Sequence, residues 1–321
     1  MRVEADSKSQ AFAESLSVLF MASIVAAANG LHVLYILFPE LGALSSDVLL
    51  RPHGKWAREP WKLVATPAIT ASIGILISTH LPYGVLAILA AMGAGIAVLF
   101  LLKSVVAPAI SAGVLPVVLR ISNWLYPLCI LGTLTALAGV LLIWRTTHMG
   151  KSLSLDKGVD RKAVDVLESR PTGKWWLPSL VLFVALIGVL AQVSGWRFIL
   201  FPPLIVMAYE MLGHPNTCPW AKQPYTFPLV CFGAALAGVG AVNTIGVTPV
   251  AAVLVLLATF AMLRLFRLRM PPALAIGLIP FILTNHTVVY AYSVGIGTVC
   301  LTAWFVLFSR FIAPVAEPAP V

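Results

Sequence analysis

Three stretches of this 321-residue chain recur about half a length later, in the same order. Ile36-Leu37-Phe38-Pro39 returns as Ile199-Leu200-Phe201-Pro202, and Trp56-Ala57-Arg58-Glu59-Pro60 as Trp220-Ala221-Lys222-Gln223-Pro224. Ala107-Pro108 through Leu115-Pro116 returns as Pro271-Pro272 through Ile279-Pro280. The offset is 163 at the first match and 164 at the next two, so one residue was inserted between them. Such a period is far longer than that of a solenoid repeat and points to one internal duplication. Any fold for this chain has to be built twice.

Composition says in which solvent. With 60% hydrophobic and 10% charged residues, a chain of this length cannot bury its apolar surface in a soluble core, which predicts an integral membrane protein. The acidic residues Glu4, Asp6 and Glu14 beside Arg2 and Lys8, with no small-residue cleavage pattern, predict that the first apolar run stays as a span. The net charge of +9 sits in loops between apolar runs, where it sets topology rather than attracting nucleic acid. Cys129, Cys218, Cys231 and Cys300 lack the spacing of a zinc or redox motif and read as packing residues.

Eight long apolar runs, at 11–30, 62–79, 83–102, 123–144, 176–195, 225–245, 248–268 and 287–309, read as transmembrane helices. Four shorter stretches, 34–50, 105–119, 198–213 and 271–284, are interrupted by proline and occupy equivalent places in the two halves. Charge decides how they run. Loops 51–62 and 264–269 are basic, whereas 80–84 and 245–249 hold no Lys or Arg, so the basic loops belong inside. An even number of crossings is then needed between Lys103 and the connector at 145–175, and this favours six crossings per half, up to twelve in all, with both termini cytoplasmic. Trp56, Arg161, Lys222 and Arg267 should lie on the cytoplasmic side, and His80 and Thr248 opposite. Four crossings plus two re-entrant loops per half is the competing count.

The expected fold is an all-α polytopic membrane protein with a pseudo-twofold axis normal to the membrane, each half dividing again into three plus three segments of inverted direction. A first repeat at 1–150 and a second at 176–321 flank a polar linker at 151–175, with a short amphipathic helix expected near 158–168.

Proline lacks an amide proton and cannot continue a helix built before it, so each interrupted segment leaves backbone groups unpaired near membrane depth. Such backbone survives only when wrapped in protein or lining a polar cavity. Pro39, Pro108, Pro202, Pro203, Pro271 and Pro272 are therefore substrate-binding candidates, as openers of half-helices whose amides point at a bound group. The plain alternative is that they kink packed helices. Asp47 and Glu210 fall eight residues after Pro39 and Pro202, and Glu40 adds a third acid at the first break. An ionised carboxylate in hydrocarbon costs about 2.5–3.5 kcal/mol on insertion scales, so these acids should face the interior as proton-relay candidates or pair with a base, Arg51 or Lys222. Asn285 and His286 close the 271–284 segment as a cap or gate. Asn29, His32, Asn123, Gln192, Asn243 and Thr284 fit interhelical or interfacial hydrogen bonds. His214 and Cys218 gather no further ligands, so no metal or other cofactor is expected, and no catalytic motif marks an enzyme.

Residues 176–310 resemble the HPP family of small integral membrane proteins. The resemblance rests on Met270-Pro271-Pro272-Ala273 through Pro280, on Phe201-Pro202-Pro203-Leu204 leading to Pro219-Trp220-Ala221-Lys222-Gln223-Pro224, and on Phe308-Ser309-Arg310. The first half matches more faintly, and the name-giving histidine is replaced by Met270. The resemblance implies membrane transport, with nitrite or a related small anion as the associated activity. The leading expectation is thus a transporter or channel-like carrier for a small inorganic anion in the plasma (inner) membrane, working as a monomer because the repeat is fused. Two alternatives stand beside it, a proton-coupled carrier of a neutral or cationic solute using Asp47 and Glu210, and a non-transporting scaffold.

Overall fold

The computed structural model describes residues 2–153, 171, 173–284 and 287–312, with side chains from residue 8 onward. The described residues are all-helical, without strands. Twelve principal helices follow in order: α1 Arg2–Gly30, α2 Glu40–Leu50, α3 Pro60–His80, α4 Val85–Leu101, α5 Pro108–Leu119, α6 Leu125–Thr146, α7 Trp176–Ser194, α8 Pro202–Gly213, α9 Phe227–Ile245, α10 Pro249–Leu265, α11 Pro272–Leu278 and α12 Val289–Phe311. Helix α11 is prolonged by a 3-10 turn, Ile279–Ile282. The amphipathic helix expected near 158–168, and Arg161 with it, lies outside the described residues.

Local chemistry sets the boundaries. Proline stands in the first turn of α3, α5, α8, α9, α10 and α11, where its missing N–H would be unpaired in any case. The Thr248 hydroxyl accepts from the Ala251 amide at 3.2 Å and caps α10. Helices α4 and α10 are both followed by a left-handed basic residue, Lys103 (φ 49°) and Arg267 (φ 50°), which turns the chain toward the short helix that follows.

Six of the helices are long and apolar enough to cross a membrane: Lys8–Gly30 within α1, and α3, α6, α7, α9 and α12. The sequence reading counted eight. The other two, α4 and α10, have 17 residues each and span about 25 Å at 1.5 Å per residue, less than the typical 30 Å hydrocarbon core. Leu86, Leu101, Ile143, Val193 and Leu265 lie exposed on the outer faces of α4, α6, α7 and α10. Large aromatic residues are exposed at both ends of the bundle, Trp61, Trp175 and Tyr225 at one and Trp124 and Trp196 at the other. An apolar belt between aromatic rims is the surface of a membrane-embedded protein.

The two ends differ in charge. At the basic end, the Arg145 side chain donates to the Pro52 carbonyl at 2.7 Å, Lys62 to the Lys103 carbonyl at 3.1 Å and the Trp56 indole to the Val105 carbonyl at 2.7 Å. Arg264 pairs there with Glu14. At the far end, Asn29 donates to the Val247 carbonyl at 2.7 Å, and Arg197 stacks on Tyr83.

Helices α2, α5, α8 and α11 are buried along nearly their whole length and pack on one another as a closed ring inside the longer helices. Packing crosses the midpoint of the chain, α1 against α10, α4 against α7, α2 against α11 and α5 against α8. Several contacts recur 164 residues apart. The Tyr126 hydroxyl donates to the Ala112 carbonyl at 3.1 Å, and the Tyr290 hydroxyl to the Ile276 carbonyl at 2.8 Å. Gly74 lies against the Gly113 carbonyl and Gly238 against the Gly277 carbonyl, so closely that a Cβ on Gly74 or Gly238 would overlap backbone. These glycines let α3 and α9 touch the short helices main chain to main chain, as small residues do in membrane interfaces.

Valine at Gly74 or Gly238 should therefore destabilise the protein by about 1–3 kcal/mol, the usual range for overpacking, or prevent folding. Gly132→Ala, which meets nothing within 4 Å, should be neutral. Unfolding of the purified protein in mixed micelles with increasing SDS measures both.

Candidate functional site

The candidate site is the place where the short helices begin. The Thr70 hydroxyl, midway along α3, donates to the Ala109 carbonyl at 2.6 Å, and that of Ser78, near its far end, to the Pro116 carbonyl at 3.1 Å. Helix α5 thus runs beside the far half of α3. Helix α2 runs the other way from the same depth: the Ser45 and Ser17 hydroxyls are 2.8 Å apart, and the Trp144 indole, near the basic end of α6, donates to the Leu49 carbonyl at 3.0 Å. In the second half, the Ile199 carbonyl just before α8 lies against Gly297 in the middle span of α12, and Tyr209 packs edge-on against Trp176 at the start of α7. Pro39, Pro108, Pro202 with Pro203, and Pro271 with Pro272 accordingly all stand near mid-depth. Four helices of 11, 12, 12 and 7 residues begin there and diverge, α2 and α8 toward the basic end, α5 and α11 toward the far end.

Glu40, the first residue of α2, lies at this crossing and is 2% exposed. One carboxylate oxygen accepts from the Ser111 hydroxyl in the opening turn of α5. The other, Oε2, is buried without a hydrogen-bond partner. A carboxylate in a first turn is favoured by the helix dipole and by unpaired amides, which is how the sequence can hold an acid this deep. The second half has Pro203 where the first has Glu40, and Ala275 where the first has Ser111.

Asp47 and Glu210 are placed differently from Glu40. Asp47 forms an ion pair with Arg51, as one of the two sequence readings expected. Glu210 is paired with the His214 ring at 3.1 Å and not with Lys222; the helix ends at Gly213, and a partner four residues on lies on the same face as the acid. Both acids sit in the last turn of their helices, toward the basic end, with a base beside them. Asn285 and His286 lie outside the described residues. Among the described residues no cluster of three or more potential metal ligands occurs.

Above the crossing, toward the far end, a cavity of about 400 Å³ opens between the 3-10 turns Leu34–Ile36 and Arg197–Leu200, the end of α5 and the start of α6. Tyr35 stands edge-on to Tyr126 (6.2 Å) and Phe198 edge-on to Tyr290 (5.3 Å) at its sides. Leu37, Leu115 and Tyr126, all in its wall, are buried, and the Tyr126 hydroxyl donates to the Ala112 carbonyl, next in the chain to the Ser111 that bonds Glu40. Sequence reasoning did not single out Ser111, Tyr126, Tyr290 or Arg197. The recurrence of Tyr126 at Tyr290, 164 residues on, was the available signal.

The ion pairs give a test of the two acids. Removing Asp47 takes the carboxylate away from Arg51, and removing Glu210 takes the acceptor away from the His214 ring. Asp47→Ala and Glu210→Ala should each cost about 1–3 kcal/mol, measured by the same SDS titration.

Neither family models nor characterised proteins nor solved structures yield a match to this chain.

Proposed function

We propose that the protein is a membrane carrier for a small solute, that the pathway runs along the ring of short helices, and that Glu40 is its proton acceptor. The observation that carries this reading is a carboxylate with an oxygen left without a partner at the mid-depth meeting of the short helices, below an open cavity. A packed scaffold has no use for such a group, because an unsatisfied buried acid costs stability and returns nothing structural. Asp47 and Glu210, each with a base beside it, serve as the ends of helices rather than as the relay.

A duplicated chain with twelve passages and a pseudo-twofold axis along the membrane normal is part of the proposal. It is supported by the tyrosine, glycine and left-handed positions that recur at an offset of 164 and by the reciprocal packing of α2 on α11 and α5 on α8. Four of the passages would each combine a half-depth helix with non-α-helical chain. The likeness to HPP proteins agrees with a transport role. The basic end faces the cytoplasm of the plasma (inner) membrane in this reading, by the positive-inside rule. A second reading, a carrier for a small inorganic anion such as nitrite, is favoured by the amides of α2, α5 and α8 that open toward the crossing. It requires the anion to approach Glu40, and is the weaker on that account unless Glu40 is protonated as the anion arrives.

The test is uptake of labelled nitrite, benzoate, glycerol and choline into proteoliposomes, with and without an inward proton gradient, against protein-free vesicles. At least one solute should accumulate in a gradient-dependent way. Glu40→Gln should abolish the dependence and Ser111→Ala weaken it, while the Asp47→Asn, Glu210→Gln double variant keeps it. Gradient-driven uptake unchanged in Glu40→Gln removes Glu40 from the mechanism.

A further inference from the structure

The far-end cavity has a chemistry of its own, distinct from that of the crossing beneath it. Its wall is aliphatic and aromatic, and it carries one charge, Arg197. That guanidinium lies 4.8 Å from the centre of the Tyr83 ring, and no carboxylate pairs with it among the described residues. Its surroundings hold no acid either. The described far-end segments 31–39, 81–84, 120–124, 195–201, 246–248, 283–284 and 287–288 contain Arg120 and Arg197 but neither Asp nor Glu. In the first half the position equivalent to Arg197 is Leu34, so the two opposite walls of the cavity are one cationic and one apolar.

From these observations we infer that the far-end cavity binds a small organic monocarboxylate, its carboxylate on Arg197 and its apolar body between Tyr35, Phe198 and the Leu34 wall. Size separates this ligand from an inorganic anion. A three-atom anion occupies roughly two water volumes, about 60 Å³ at some 30 Å³ per water. The cavity holds about 400 Å³, within the ordinary range of small-molecule sites. An inorganic anion would leave the leucine and aromatic walls uncovered, and a neutral or cationic solute would make no charge pair with Arg197, an exposed residue. An arginine offers a carboxylate two parallel hydrogen bonds, and the rings offer an apolar body a stacking surface. The inference rests on the carrier reading for its purpose, since it names the solute class that waits above Glu40, but binding can be measured without transport.

Isothermal titration of the full-length protein in detergent with sodium benzoate is the direct experiment, with sodium nitrite, benzyl alcohol and benzylammonium as comparisons. Benzoate should bind, and the other three should bind at least about tenfold more weakly, a factor that corresponds to 1.4 kcal/mol. Arg197→Gln should weaken benzoate binding by about tenfold or more, with partial recovery in Arg197→Lys. Leu34→Glu, an exposed position where folding is not at stake, should abolish binding by placing opposite Arg197 a carboxylate that repels the anionic ligand and competes with it for the guanidinium. Equal benzoate affinity in wild type and Arg197→Gln overturns the assignment, as does binding of nitrite in preference to benzoate. Benzoate that is inert while anionic phospholipid binds overturns it too and makes the cavity a lipid site. Proton-gradient uptake of another solute that still needs Glu40 would then leave the carrier reading standing, whereas benzoate binding without any Glu40-dependent uptake would leave this site standing alone.

Discussion

A helix that stops halfway through hydrocarbon leaves its first amides and last carbonyls without partners, and lipid supplies none. Every other feature of this molecule answers that constraint. Pro39, Pro108, Pro202 and Pro272 force helices to begin at mid-depth, and the protein wraps the four breaks in eight longer helices until the short ones are buried along their length. Gly74 with Gly113 and Gly238 with Gly277 make the wrapping close enough to exclude lipid. Ser104 and Thr66, and the phenols of Tyr126 and Tyr290, supply polar partners inside it.

The two halves share this frame and differ in what they hang on it. Glu40 and Ser111 belong to the first half, where the second has Pro203 and Ala275; Arg197 belongs to the second, where the first has Leu34. The frame keeps its backbone contacts at an offset of 164, while Glu40 and Arg197 appear once each. An arrangement of this kind places a buried carboxylate where the short helices begin and a cation toward the far end.

The buried acids also separate by environment. Asp47 and Glu210 each have a base four residues on, on the same helical face, and their positions at helix ends make the pairs local. Glu40 has no base beside it: the Ser111 hydroxyl donates to one oxygen, and the other is buried without a hydrogen-bond partner. Three acids that look alike in the sequence therefore have two different surroundings, decided by whether the chain can place a base beside them.

Much was legible before the structure, because it depends on the order of residue types. Apolar runs report a membrane solvent, prolines report where helices open, and the Ile-Leu-Phe-Pro and Trp-Ala segments recur in both halves of the chain. The basic loops at 51–62 and 264–269 mark one end of the bundle. What the sequence could not give was depth: nothing in 34–50 or 105–119 says whether the helix fills the near or the far half of the layer. Hydrogen bonds from α3, α1 and α6 to these segments decide that, and only then do four proline breaks become one meeting point. Ser111 as the partner of Glu40, and Arg197 as the charge in a cavity walled by Tyr35 and Phe198, depend likewise on contacts between residues 71 and more than 150 positions apart. The sequence by itself determined the helices, the solvent and the breaks, since these follow from local propensity and polarity. The tertiary structure alone decided which polar groups share a site, because packing, and not position in the chain, brings them within reach.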